Sequence, residues 1–156
     1  VLSLFIVIIL LSLMFKNVLA GLIGSVPIII TTFISFGVMG LLNIPLSTTT
    51  ALLSSIAIGI GIDYAVHFLE RYKIYAAETG DKILTSQHTM QHSGRAIVFN
   101  AVVVIAGFLV LIFSVFPPNR ALGALVSLNM FTSFLGTVTI MYVLLFMSNI
   151  YFKKEK

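Results

Sequence analysis

In this chain of 156 residues, 59% of positions are hydrophobic, only 9% are charged and neither Trp nor Cys occurs, which is the composition of a membrane protein. The absence of Cys excludes a disulfide framework and a thiolate metal site. The formal net charge of +4 is spread thinly between apolar runs, not gathered into a stripe with aromatic residues, so it marks membrane orientation and nucleic acid is not an expected partner.

The first apolar run, residues 1–15, falls short of the roughly 20 residues a helix needs to cross the hydrocarbon and is expected to be a truncated span. No basic region precedes it and no small-residue cleavage site follows it, which argues against a signal peptide. Full spans are expected at 18–42, 46–69, 96–116 and 122–152, giving an all-α polytopic bundle of about five transmembrane helices in one transmembrane domain over 1–156. Pro27 lies inside the second span, where a kink is expected. Asn43-Ile44-Pro45 and Phe116-Pro117-Pro118-Asn119-Arg120 read as tight turns. The polar connection 70–95 is expected to hold one short amphipathic surface helix built on Ile83, Leu84 and Met90.

Alternating the spans puts Lys16, Arg71, Lys73, Lys82, Arg95, Lys153, Lys154 and Lys156 on one side and leaves Arg120 alone on the other. By the positive-inside rule the first side is the cytoplasm, so the 70–95 connection and the carboxyl terminus are expected to be cytoplasmic and the chain to be multi-pass in the cytoplasmic (inner) membrane.

The third span carries a lone carboxylate, Asp63. It lies eight residues before Arg71, about 12 Å inside the boundary at 1.5 Å per residue. A charge there costs about 2.5–3.5 kcal/mol, and desolvation at that depth favours the protonated acid. At 100° per residue the Asp63 face collects Leu52, Ile56, Gly59, His67 and Glu70, with Ser54, Gly61 and Ala65 opposite. Gly59 and Gly61, on different faces, point to close packing on both sides and to a central helix largely hidden from lipid. Asp63 can serve as packing glue toward Asn100, Asn129 or a threonine of the last span, but an ionisable residue at this depth is by default functional. His67, one turn along, reads either as a proton relay or as a hydrogen-bonded interface histidine, and spacing does not separate the two. His88 and His92 share a helical face, but HTMQH lacks the glutamate of HExxH and a third ligand, so a solvated surface is expected and no metal. No nucleophile, base and acid arrangement stands out, Gly59-Ile60-Gly61 lies inside a span where it cannot cradle phosphate, and neither an enzyme nor a cofactor is expected.

The strings GVMGLLNIPLSTTTALLSSIAIG, GIGIDYAVHFLERYK and SGRAIVFNAVVVIAGFLVLIFSVFPP, in that order, resemble the membrane domain of the resistance-nodulation-division (RND) superfamily, and most closely its MMPL branch of exporters of lipids and other hydrophobic molecules. The resemblance implies half of an RND permease membrane domain, helices two to six of one repeat. It further implies that Asp63 takes up and releases protons, that Tyr64 hydrogen-bonds a facing acid, and that the partner is the other repeat with its own Asp-Tyr helix. Asn100 stands where many relatives have Thr or Ser, and it can still hydrogen-bond a carboxylate; at about 7–8 Å depth it is within reach of Asp63 if their helices adjoin. Tyr142 stands where a proline is common, which puts a local bend there in doubt. The implied function is a proton-driven exporter of hydrophobic or lipidic substrate. The alternative is a lipid-binding regulatory module resembling a sterol-sensing domain, which would need no proton gradient. The translocation accessory SecD/SecF shares the fold but shows different strings around the corresponding helix.

Overall fold

The computed structural model describes residues 2–41, 43–45 and 48–148, without the side chains of 2, 48, 49, 53, 54 and 57. The calls on Ser54, Leu42, Lys153, Lys154 and Lys156, and on the last residues of the final span, lie outside the described residues.

Apolar runs without internal breakers form helices, and six follow one another: α1 (Leu2–Met14), α2 (Val18–Leu41), α3 (Thr48–Thr79), α4 (Lys82–Leu109), α5 (Pro117–Gly136) and α6 (Tyr142–Met147). A π-helical turn over Thr137–Met141 joins α5 to α6, so the final rod is continuous. Among the described residues there is no strand, and the chain is an all-α membrane bundle. Val18–Leu41, Lys82–Phe113 and Pro117–Met147 are long and apolar enough to cross a membrane, and Ser3–Met14 is a shorter apolar helix, as expected of the first run.

The turns are closed by side chains the sequence supplies at each point. Lys16, at φ 49°, ends α1 with Asn17 N–H bonded to the Ser12 carbonyl at 3.2 Å, and Asn17 Oδ1 then accepts from the Leu19 N–H at 2.9 Å to cap α2. Asn43, at φ 53°, closes α2 in the same way, with Ile44 N–H on the Met39 carbonyl at 2.9 Å. At the fourth turn, Pro117 and Pro118 occupy the first positions of α5, where their missing N–H groups cost nothing. Arg120 folds back to donate from Nε to the Ser114 carbonyl at 2.7 Å.

The largest departure from expectation is the connection 70–95. It holds no separate surface helix: α3 runs on to Thr79 and α4 starts at Lys82, so the two spans continue beyond the apolar region as one helical hairpin. Gly80, at φ 65°, supplies the left-handed cap of α3. Asp81 caps α4, its carboxylate accepting from the Ile83 N–H at 2.9 Å. The polar residues that end a membrane span do not end a helix, because Glu, Arg and Lys are good helix formers.

Consecutive helices joined by these short turns run antiparallel and pack on one another, and α5 also lies against α2 and α3. Small residues set the close approaches. A Cβ on Gly123 would sit 2.6 Å from the Phe108 carbonyl oxygen, and one on Gly136 would sit 3.1 Å from Pro27 Cβ. α2 therefore continues unbroken through Pro27 and uses its buried ring as a packing surface. Buried hydroxyls and amides tie the same helices: Asn129 donates to Ser35 Oγ at 3.2 Å, and Ser133 to the Gly61 carbonyl at 3.0 Å. Tyr72 donates to the Leu145 carbonyl at 3.5 Å, and burial pushes its phenol above its ordinary value.

Gly123→Ala is expected to lower the thermal midpoint of the detergent-solubilised full-length protein, at a cost of about 1–3 kcal/mol from overpacking. Gly37, with nothing within 4 Å of its added Cβ, should accept Ala without loss.

Candidate functional site

The face of α3 counted from Asp63 is open. Leu52 and Ile56 are 61% and 49% exposed, and Gly59, Asp63, His67 and Glu70 continue the stripe toward the basic end of the bundle. The opposite face is buried: Ala65 is fully covered and Gly61 meets Ser133. Within this chain α3 is thus packed by its neighbours on one side, and the other face, expected to be covered as well, has no neighbour among the described residues. The two glycines show the difference: a Cβ added at Gly59 would meet no neighbouring helix within 4 Å, whereas one on Gly61 would sit 3.1 Å from Ser133 Oγ. Of the two glycines expected to pack helices, only Gly61 does so within this chain.

Tyr64 lies inside. It is 1% exposed, its ring meets Phe134 edge-on with centroids 6.5 Å apart, and its hydroxyl faces Met130 Sδ at 3.6 Å, a weak acceptor. In this chain the hydroxyl is turned into the bundle, away from the open stripe that carries Asp63. Among the described residues, Asp63 makes no hydrogen bond or ion pair.

Beside the stripe, between α3 and α4, a cavity of about 610 Å³ is lined by Tyr64, His67 and Arg71 from α3 and by His92, Ser93 and Asn100 from α4. Three of the four expected relay residues, Tyr64, His67 and Asn100, thus share one space, with Asp63 one turn from His67 on the adjoining open face. Toward the hairpin, Tyr75 also lines the cavity and packs against His88 and His92, each with ring centroids 5.8 Å away. The two imidazoles stack nearly parallel at 5.9 Å, and His92 Nδ1 lies 3.0 Å from the His88 carbonyl oxygen.

Arg71, His92 and Ser93 join this site because the polar stretch expected to be a connection is helix. The signal was present. Positions 67, 71 and 75 on α3, and 92, 96 and 100 on α4, follow at four-residue steps, so continuing both helices carries each face into the hairpin.

Comparison with known proteins agrees with the architecture. The MMPL family pattern matches residues 1–149. The membrane protein MJ1562 of Methanocaldococcus jannaschii is 28% identical over 123 residues, which cover 79% of this chain and 32% of that protein. The transport protein MmpL12 of Mycobacterium tuberculosis is 28% identical over 93 residues, 60% of this chain and 8% of its own length. The chain therefore spans about a third or less of these relatives. No solved structure matches it.

The chain lacks native Cys, so single cysteines report the cavity cleanly in a full-length background stripped of other thiols. Cysteines at His67 and Asn100 are expected to react with a membrane-impermeant maleimide supplied at the basic side. A cysteine at Val103, 68% exposed on the apolar face of α4, should react at least about tenfold more slowly, since the thiolate reacts and hydrocarbon suppresses it.

Proposed function

This chain belongs to the MMPL family, and from that premise we propose that it forms half of the membrane domain of a proton-driven transporter that exports hydrophobic or lipidic molecules. The observation that carries the reading is the open position of Asp63. A carboxylate facing hydrocarbon costs about 2.5–3.5 kcal/mol, and the described residues offer it no ion pair to offset that cost. A second set of helices laid over Gly59, Asp63 and His67 removes the problem. That partner is the other repeat of the same permease, with a matching Asp-Tyr helix.

In this reading Asp63 is the proton carrier. Protonated, it tolerates an apolar contact; ionised, it demands donors, and the two halves rearrange to supply or withdraw them. His67 passes the proton between Asp63 and the cavity, and Asn100, with both donor and acceptor atoms, serves the ionised and the neutral acid alike. Tyr64 gives up only a weak bond to Met130 Sδ when its hydroxyl turns to a facing acid. The basic turns at Lys16 and at Gly80-Asp81 face the cytoplasm of an inner-membrane protein, and the carboxyl terminus lies on the same side. A transport role for the relative MmpL12 supports the class, though not the cargo.

Asp63→Asn in the full-length protein should reduce export to background at every pH while leaving membrane insertion and yield unchanged. Asp63→Glu should retain part of the activity, with a shifted pH profile. Export by the Asn variant at the wild-type rate, in vesicles with a set proton gradient, would sink the assignment.

A further inference from the structure

The hairpin half of the cavity has a lining that proton handling does not use. Arg71 presents a guanidinium and His92 an imidazole, and the cavity's lining contains no carboxylate. Ser93 adds an independent sign. It is 5% exposed and lines the same cavity, and its covered Oγ has no hydrogen-bond partner among the described residues, so a turn about χ1 toward the cavity breaks no bond. A buried hydroxyl left without a partner is costly and is uncommon in folded chains. Donors gathered without an acid to neutralise them call for an anion with several acceptor oxygens, and a guanidinium fork matches phosphate geometry.

We propose that this cavity binds a phosphate-bearing lipid headgroup, with Arg71 on the phosphate oxygens, His92 beside it, and Ser93 Oγ turning about χ1 to donate to one of them. The position suits an amphiphile. Asn100 sits about 7–8 Å inside the boundary marked by Arg95 and His92 lies beyond it, so the cavity straddles the layer where headgroups meet hydrocarbon. On the same side of α4, one turn further into the membrane than Asn100 and Ala96, Val103 and Phe99 are 68% and 74% exposed, a surface for acyl chains. Arg95 shares a neighbouring depression of about 390 Å³ with His92, which places a second guanidinium at the rim. Basic pockets between membrane helices are recurrent sites for anionic headgroups. The volume of about 610 Å³ leaves room for a glycerol phosphate.

The test uses the full-length protein in a phosphate-free maltoside, titrated with dihexanoyl phosphatidic acid and followed by the shift of its thermal midpoint. Saturable stabilisation is expected, absent with dihexanoyl glycerol, which lacks the phosphate. Arg71→Gln should weaken the apparent Kd at least about tenfold, equivalent to 1.4 kcal/mol. Ser93→Ala should weaken it severalfold, and Arg71→Lys should keep intermediate affinity and so report an intact fold. Asp63→Asn should bind as wild type does, which separates this site from the proton step. Inorganic phosphate should compete only at much higher concentration. Binding of phosphate without binding of the short-chain lipid would overturn the headgroup assignment, as would lipid binding that Arg71→Gln leaves unchanged.

Discussion

Hydrocarbon solvent takes away the main force that packs soluble helices, because a leucine gains nothing by leaving lipid for another leucine. What remains is close van der Waals approach and the few polar groups that lipid will not satisfy. α5 concentrates both. Gly123 lets it press against the backbone of α4, Gly136 admits the ring of Pro27, and Ser133 and Asn129 hydrogen-bond across to α3 and α2. These contacts fix the rotation of α3. With Gly61 held against Ser133, the opposite face is forced outward, and Asp63 goes with it.

The placement of Asp63 is therefore a result of packing on the other side of its helix. The residues that make α3 adhere to this bundle, Gly61, Ala65 and Phe68, are buried at positions out of phase with Gly59, Asp63 and His67. The carboxylate and the packing residues occupy separate faces, so on the proposed reading Asp63 could change charge without breaking the contacts that position it. Tyr64 lies between the two, its ring held in the core and its hydroxyl on an acceptor weak enough to leave.

Much of this was legible in the residues alone. Among the described residues, hydropathy marked three helices long and apolar enough to cross a membrane, Asn43 and the Pro117-Pro118 pair marked the turns, and a 100° step found the members of the Asp63 face, all of which lie open. The rest was hidden for physical reasons. Hydropathy measures where a helix leaves the membrane, not where it ends, so the stretch from Glu70 to Arg95 read as a connection although its residues favour helix. Gly59 and Gly61 are alike in sequence, and only the presence of Ser133 opposite one of them decides which packs. The inward turn of Tyr64 follows from Met130 and Phe134, residues 66 and more positions away, which no local pattern connects to it.

The continuity of α3 through Thr79 has a mechanical consequence. Asp63 and the Gly80 turn belong to one stiff rod, separated by about 25 Å of helix at 1.5 Å per residue. A tilt of about 5° with Asp63 as fulcrum would displace the hairpin tip by about 2 Å, on the scale of the helix shifts that accompany switching in other proteins. α4, capped by Asp81 immediately beyond the turn, would be carried along, together with the stacked imidazoles of His88 and His92. On the proposed reading, a change of charge at Asp63 would be geared to a movement of the hairpin tip, through a lever arm made of uninterrupted backbone hydrogen bonds.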